Sequence, residues 1–280
     1  MKKLFIILLL VLGISYPISA AEEVSQPKRI VSLAPSMTEI LFALGLGNNI
    51  VGVTTFCDYP EEAKKKPKIG GMSNPSLEAV LSLKPDIVVM TTDGNPKEFE
   101  ERLISLKIKT YVFKARTIIE LPQGIRSLAE ALGVKTRGER LAKSIEDGVS
   151  KESRSSSRVN DRASQKKVLF IVWPEPLIVA GRGTAIDDAI TLLGYDNIAS
   201  HAATAYPKYS IEEVMRQAPD VIVIGKGSGM DMVAVSKGIL RRLATIPAVK
   251  NNRVFYVGDG LYRLGPRVVQ GIEELSACLK

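Results

Sequence analysis

Large side chains suited to gripping a ligand gather where the strands of this chain should end. Phe56, Asp58 and Tyr59 follow the apolar run Ile50–Thr54, and Trp173, the sole tryptophan, closes the run that begins at Val168. Tyr206 and Tyr209 stand in AYPKYS, Met72 in GGMSNP, and Asp259, Tyr262 and Arg263 in GDGLYRLGPR. In open α/β sheets ligands bind beyond the carboxyl ends of the strands. Aromatic faces with a few polar groups among them suit a large, flat, partly apolar molecule. Any one of these side chains is equally well an ordinary packing residue; their shared place carries the reading. Pro35-Ser36 and Gly183-Thr184 stand at expected helix starts. Their free backbone N–H groups either hold ligand oxygens or only begin the helices.

Residues for covalent or metal chemistry do not assemble in the same way. There is no G-x-x-x-x-G-K-[ST] phosphate loop, no H-E-x-x-H pair and no G-x-S-x-G elbow, and Gly225, Gly227 and Gly229 do not complete a G-x-G-x-x-G turn. His201 is the only histidine and lies in a Ser/Ala/Thr loop with no acid beside it, which predicts a plain surface position. No catalytic residue and no metal ligand is therefore assigned, and the rival reading, an exported α/β hydrolase, lacks its nucleophile motif.

One stretch is written twice. SLEAVLSLKPDIVVM at Ser76–Met90 returns as SIEEVMRQAPDVIVI at Ser210–Ile224, with Ser76/Ser210, Glu78/Glu212, Val80/Val214, Pro85/Pro219, Asp86/Asp220 and Val89/Val223 identical. Two similar halves follow, each with a carboxylate at the same place. Glu78 and Glu212 either stabilise helix N-termini or form matched acidic pegs for a two-fold symmetric partner.

The elements that must position these residues alternate. Arg29–Ala34, Ile50–Thr54, Asp86–Thr91 and Thr110–Phe113 read as strands, with helices over Met37–Leu44, Ser76–Leu83 and Phe99–Leu106. Ser36 and Glu39 have capping-box spacing, which predicts a helix start at Ser36. A second series follows: Val168–Trp173, a helix capped by Thr184, Glu212–Gln217, Asp220–Ile224, Leu240–Ala244, Arg253–Val257 and a final helix over Arg267–Leu279. Strands alternating with short helices predict parallel α/β sheets covered on both faces. Between the halves, Gln123–Leu132 and Thr136 to about Ser153 read as helices. The second is long enough to bridge two lobes, with polar exit turns over Ser153–Ser157 and Asn160–Ser164.

Composition narrows the setting. Lys2 and Lys3, the apolar run Leu4–Ile14 and the small-residue site Ser19-Ala20-Ala21 read as a secretory signal peptide, residues 1–21, cleaved after Ala21. The run is shorter than the roughly 20 residues a bilayer needs. No cysteine lies near the cleavage site to carry a lipid. The net charge of +8 is spread along the chain without the aromatic-interleaved basic motif of nucleic-acid binders. Cys57 and Cys278 are the only cysteines, so one disulfide at most is open to them.

RIVSLAPSMTEILFALGLGNNIVGVTTFCDYP, GGMSNPSLEAVLSLKPDIVV and YPKYSIEEVMRQAPDVIVI resemble the periplasmic iron/vitamin-B12-type binding proteins of ABC importers, from Arg29 to the C-terminus. The resemblance implies two Rossmann-like lobes joined by a single long helix, the helical-backbone class III architecture, with ligand in the cleft between. It implies an N-terminal lobe over 29–133, a bridging helix and turn over 134–165 and a C-terminal lobe over 166–280. It also implies a monomer in the periplasm that catalyses nothing, binds a small molecule and no nucleic acid, and docks through Glu78 and Glu212 on an ABC permease homodimer with its ATPase. The implied ligand is cobalamin or another corrinoid, with haem or a ferric siderophore as the alternative and Tyr206, Tyr209, Tyr262 and His201 available to an iron. Family contact positions fall at Phe56, Met72, Thr91, Tyr206 and Gly260.

Overall fold

The computed structural model describes residues 26–157, 166–226 and 231–279. The expected leader and the Asn160–Ser164 turn lie outside these residues. In the first half the chain runs β1 (Ile30–Ser32), α1 (Pro35–Ala43), β2 (Ile50–Val53), α2 (Glu61–Lys64), α3 (Leu77–Ser82), β3 (Ile87–Thr91), α4 (Lys97–Ser105), β4 (Lys109–Phe113) and α5 (Leu121–Ala131). Its four strands pair in the order β2-β1-β3-β4, all parallel. The helix α6 (Lys135–Ser157) then leads to the second half: β5 (Lys167–Pro174), β6 (Leu177–Val179), α7 (Ala185–Leu192), β7 (Asp196–Asn197), α8 (Ile211–Gln217), β8 (Val221–Gly225), α9 (Met232–Arg242), α10 (Pro247–Lys250), β9 (Val254–Val257) and α11 (Val268–Leu279). Here β7, β5, β8 and β9 repeat the parallel order of the first sheet, and β6 adds an antiparallel edge on β5. The central strands β1 and β8 are buried along their whole length, which is why they read as unbroken apolar runs.

The duplicated stretch forms α3–β3 and α8–β8, and its shared residues do the same work twice. Ser76 Oγ accepts the Ala79 N–H and Ser210 Oγ accepts the Glu213 N–H, so each serine caps its helix. Lys84 and Ala218 stop the helices in left-handed conformations, at φ 46° and 47°. A proline follows each, and then an aspartate whose carboxylate accepts backbone N–H groups of the neighbouring segment: Lys28 and Arg29 at 2.8 and 2.9 Å for Asp86, Lys167 at 2.8 Å for Asp220. The repeat is thus a device for feeding a strand into the middle of a sheet.

α6 is 23 residues long, a rod of about 34 Å at 1.5 Å per residue. It runs straight through Ser153–Ser157, where a turn was expected. Gly138 and Gly148 let neighbours approach it. A Cβ on Gly138 would stand 2.2 Å from the Ala129 side chain of α5, and one on Gly148 2.7 Å from Val269 of α11. One apolar cluster therefore continues from Ile30, Ile40 and Leu121 through Ile145 to Phe170, Ile272 and Leu275, so the halves share a core. Ile118 N–H also donates across the halves to Asp188 Oδ2 at 2.8 Å.

Three further expectations are corrected. α1 begins at Pro35 with Ala34 ahead of it, so Ser36 lies inside the first turn and makes no cap, and the Glu39 side chain goes to a distant arginine instead. β5 continues through Trp173 and Pro174 into a hairpin with β6, where a loop was expected. α9 is far longer than Leu240–Ala244. Cys57, buried between Thr38 and Thr54, and Cys278, on α11, are both free thiols.

Candidate functional site

Two adjoining cavities open between the halves. The first, about 320 Å³, is walled by Pro35, Ser36, Phe56, Met72, Thr91 and Phe113 on one side and by Ala185, Tyr206, Leu261, Tyr262, Arg263 and Leu264 on the other. The second, about 650 Å³, shares Thr92, Asp93, Arg116 and Tyr206 with it and extends to Thr117, Glu120, Arg182 and Thr184. Charged and hydroxyl side chains are denser around the second cavity than around the more apolar first, so the cleft as a whole is amphipathic.

Position in the strands explains the first wall. Ser36, Phe56 and Thr91 lie at or just beyond the ends of β1, β2 and β3, and Phe113 ends β4. Asn95 fixes the loops among them. Its amide donates to Leu33 O at 2.9 Å and Met72 O at 3.0 Å, while its oxygen accepts the Thr91 N–H at 2.8 Å. Met72 lies over Gly94, where a Cβ would stand 2.2 Å from the methionine methyl. On the opposite wall, Gly181 N–H donates to Ala205 O at 2.8 Å and Val179 N–H to Pro207 O at 3.2 Å, which bolts the Tyr206 loop to the turn before α7. Met72 and Tyr206 precede the capping serines Ser76 and Ser210 by the same spacing. They are equivalent positions of the two halves, facing one cleft.

Beneath the cleft lies an ionic cluster that spans the halves. Arg267 Nε and Nη2 clamp the Glu39 carboxylate at 2.8 and 2.6 Å, and Arg267 Nη1 binds Asp259 at 2.7 Å. Arg263 pairs with Asp259 at 2.8 Å and with Asp58, and reaches Glu39 at 3.7 Å. Glu39 is 1% exposed. Burial pushes its carboxyl above the usual carboxylate range, against the pull of Arg267 and Arg263. The hydrogen bonds that Arg267 donates to Glu39 in turn hold it well above its ordinary value. The Tyr59 ring stacks on the Arg267 guanidinium at 4.3 Å.

The expected site residues divide accordingly. Pro35, Ser36, Phe56, Met72, Tyr206, Tyr262 and Arg263 line the cleft. Asp58, Tyr59 and Asp259 belong to the ionic cluster and its stacked ring. Trp173 is displaced altogether. It packs on the core of the second half, with its indole N–H donating to Glu175 O at 2.7 Å. Gly260 is buried against α11, where a Cβ would stand 2.9 Å from Arg267 O and 3.2 Å from Gly271 N, and it does not line the cleft. Of the groups considered for an iron, Tyr209 donates its hydroxyl to Ile198 O, Tyr262 donates to Lys226 O, and His201 is exposed outside both cavities. Only Tyr206 keeps its phenol at the cavity; the surrounding walls, with Asp93, push it above the ordinary tyrosine value. Among the described residues no group of three or more His, Cys, Asp or Glu is placed to hold a metal. Phe113, Leu261, Leu264, Asp93 and Arg116 were missed by sequence reading. Phe113 ends a foreseen strand and the leucines flank Tyr262 and Arg263, so the strand-end rule could have found these three.

Glu78 and Glu212 stand exposed in the first turns of α3 and α8. The Glu212 carboxyl is held below the usual range by its own backbone N–H and the Ser210 hydroxyl. Each follows its cleft-lining residue, Met72 or Tyr206, along one loop–helix segment.

This architecture has a match. A family model described as periplasmic binding protein covers residues 30–261. The chain belongs to the periplasmic binding protein family. Among its relatives is an uncharacterized ABC transporter substrate-binding lipoprotein of Bacillus subtilis, 33% identical over 90% of this chain and 79% of that protein. Among solved structures, the periplasmic vitamin B12-binding protein of Vibrio cholerae superposes with TM-score 0.80 at 25% identity, covering 91% of this chain and 97% of that one. The periplasmic heme-binding protein of Roseiflexus in its apo form gives TM-score 0.81 at 32% identity, covering 90% and 97%. This periplasmic binding protein thus has the class III fold, two α/β halves on a long helix, and is a substrate-binding protein of the ABC transporter type.

Proposed function

We propose that the protein captures a corrinoid, cobalamin in the first instance, in the cleft between its halves and delivers it to the membrane permease of an ABC importer. The observation that carries this is the cleft itself. Phe56, Met72 and Phe113 from one half face Tyr206, Leu261 and Tyr262 from the other, an apolar slot for a large flat ring system with polar groups at its margin. Likeness to the vitamin B12-binding protein of Vibrio cholerae supports the choice. In this reading the protein is an exported monomer that catalyses nothing. Glu78 and Glu212 each meet one subunit of a permease homodimer powered by a separate ATPase.

Haem is the second reading, favoured by Tyr206, which lines both cavities, and by likeness to the heme-binding protein from Roseiflexus. Visible spectroscopy of the purified protein, titrated in turn with cyanocobalamin and hemin, separates the readings. Saturable retention of the corrinoid band is expected. A Soret band shifted on binding, with no corrinoid retained, would move the assignment to haem.

A further inference from the structure

The polar end of the cleft holds a cation for which the proposed capture gives no use. Arg116 and Arg182 both line the larger cavity. Arg116 is already neutralised, with Nη2 2.6 Å from Asp93 Oδ1. The remaining acid there, Glu120, is turned back on the Arg116 backbone N–H at 2.9 Å. Behind the wall, Asp187 accepts from Asn197 Nδ2 at 2.7 Å and Asp188 from the Ile118 N–H. Among the described residues, Arg182 makes no ion pair and no hydrogen bond, and its side chain is exposed at the cavity.

Its placement is built. Gly181 and Gly183 flank it. Gly183 takes φ +76°, and a Cβ on Gly181 would stand 2.9 Å from Thr204 O. The turn that carries Arg182 is thereby pinned against the Tyr206 loop, at the seam between the apolar and polar cavities. A guanidinium carried on a pinned turn beside a flat apolar slot is suited to the charged substituent of a molecule whose body fills the slot. Guanidinium binds carboxylate and phosphate through paired, charge-assisted hydrogen bonds.

We propose that Arg182 binds an anionic arm of the ligand, a phosphodiester or carboxylate carried at the edge of its ring system. This rests on the reading of the cleft as a macrocycle site. The same chemistry has two sources, the phosphodiester of a corrinoid's nucleotide arm and the carboxylates of a porphyrin.

Paired titrations distinguish them. Cyanocobalamin is compared with dicyanocobinamide, which lacks the nucleotide arm, and hemin with its dimethyl ester, each on the wild type, Arg182→Gln and Arg182→Lys. For whichever pair binds, Arg182→Gln is expected to weaken the anion-bearing member about tenfold or more, leave the other within about twofold, and be partly rescued by Arg182→Lys. Binding of the anionic member by wild type should also weaken with salt more than that of its neutral counterpart. Equal weakening of both members, or of neither, overturns the role of Arg182 while leaving the macrocycle site standing. Failure of wild type to bind any of the four removes that site and the proposal together.

Discussion

In the first half, β1 and β3 end directly in loops that wall the cleft; in the second, the matching strand β5 runs on through Pro174 into a hairpin with β6. The first half meets the ligand space through strand-end loops that Asn95 ties together. The second meets it through Tyr206, the turn before α7 and the loop carrying Leu261–Leu264. The same strand order thus presents two unlike walls. What does repeat is the segment from Met72 to Glu78 and from Tyr206 to Glu212: a cleft-lining side chain, a serine cap and an exposed carboxylate. Unlike walls suit a ligand without symmetry, and like carboxylates suit a partner with it.

Breaking that symmetry has the largest expected effect. The double change Glu78→Arg and Glu212→Arg should abolish uptake into proteoliposomes holding the permease, with each single change falling between it and wild type. Ligand affinity should stay nearly intact, since neither side chain lines the cleft. Normal uptake by the double variant would remove docking and leave helix-end stabilisation alone.

A second comparison sets two Arg–Glu contacts against each other. Arg267 holds a carboxylate that is 1% exposed, whereas Arg216 holds Glu213 on an exposed helix face. Removing the partner of a buried charge is costly, and Arg263 offsets only part of it. Arg267→Ala should therefore lose about 3 kcal/mol, a drop in melting temperature of roughly 6–12 °C for a chain of this size. Arg216→Ala should barely move it. Equal shifts would show that the inter-half cluster carries no special weight.

The smallest effect lies in the repeat's left-handed stops. Ala218→Gly and Lys84→Gly should each relieve backbone strain, partly offset by the greater freedom of glycine in the unfolded chain. The net gain is at most about 1 kcal/mol, or about 2–4 °C in melting temperature. A fall in either variant would mean that the native side chain contributes more than its conformation costs.

Much of this was legible in the sequence. The duplicated stretch announced two halves because the same serine, proline and aspartate solve the same backbone problem twice. The bridging helix was visible as an apolar stripe at Leu141, Ile145 and Val149 without any strand signal nearby. Tertiary contacts hid the rest. Ser36 and Glu39 satisfied a local capping rule, but Glu39 is claimed by Arg267, which lies 228 residues on. Trp173 looked like a strand end because Pro174 and Pro176 follow, yet Pro174 stays in the strand and the turn at Glu175-Pro176 folds the chain into a hairpin. Asn95 ties down Leu33 and Met72, both distant in the chain, and left no pattern to read. Asp58 and Asp259 were recognised as loop acids near the cleft, but their use beneath it depends on Arg263 and Arg267, which neighbour Asp259 in the chain and meet Asp58 and Glu39 only through the fold.

The central claim is that aromatic side chains from both halves converge on one corrinoid. Calorimetric titration of cyanocobalamin into wild type, Phe56→Ala and Tyr206→Ala tests it most directly. One molecule should bind per chain, and each substitution should weaken binding about tenfold or more, the value of one buried aromatic face. No binding of any corrinoid by the wild type, or a loss confined to one of the two substitutions, would contradict it.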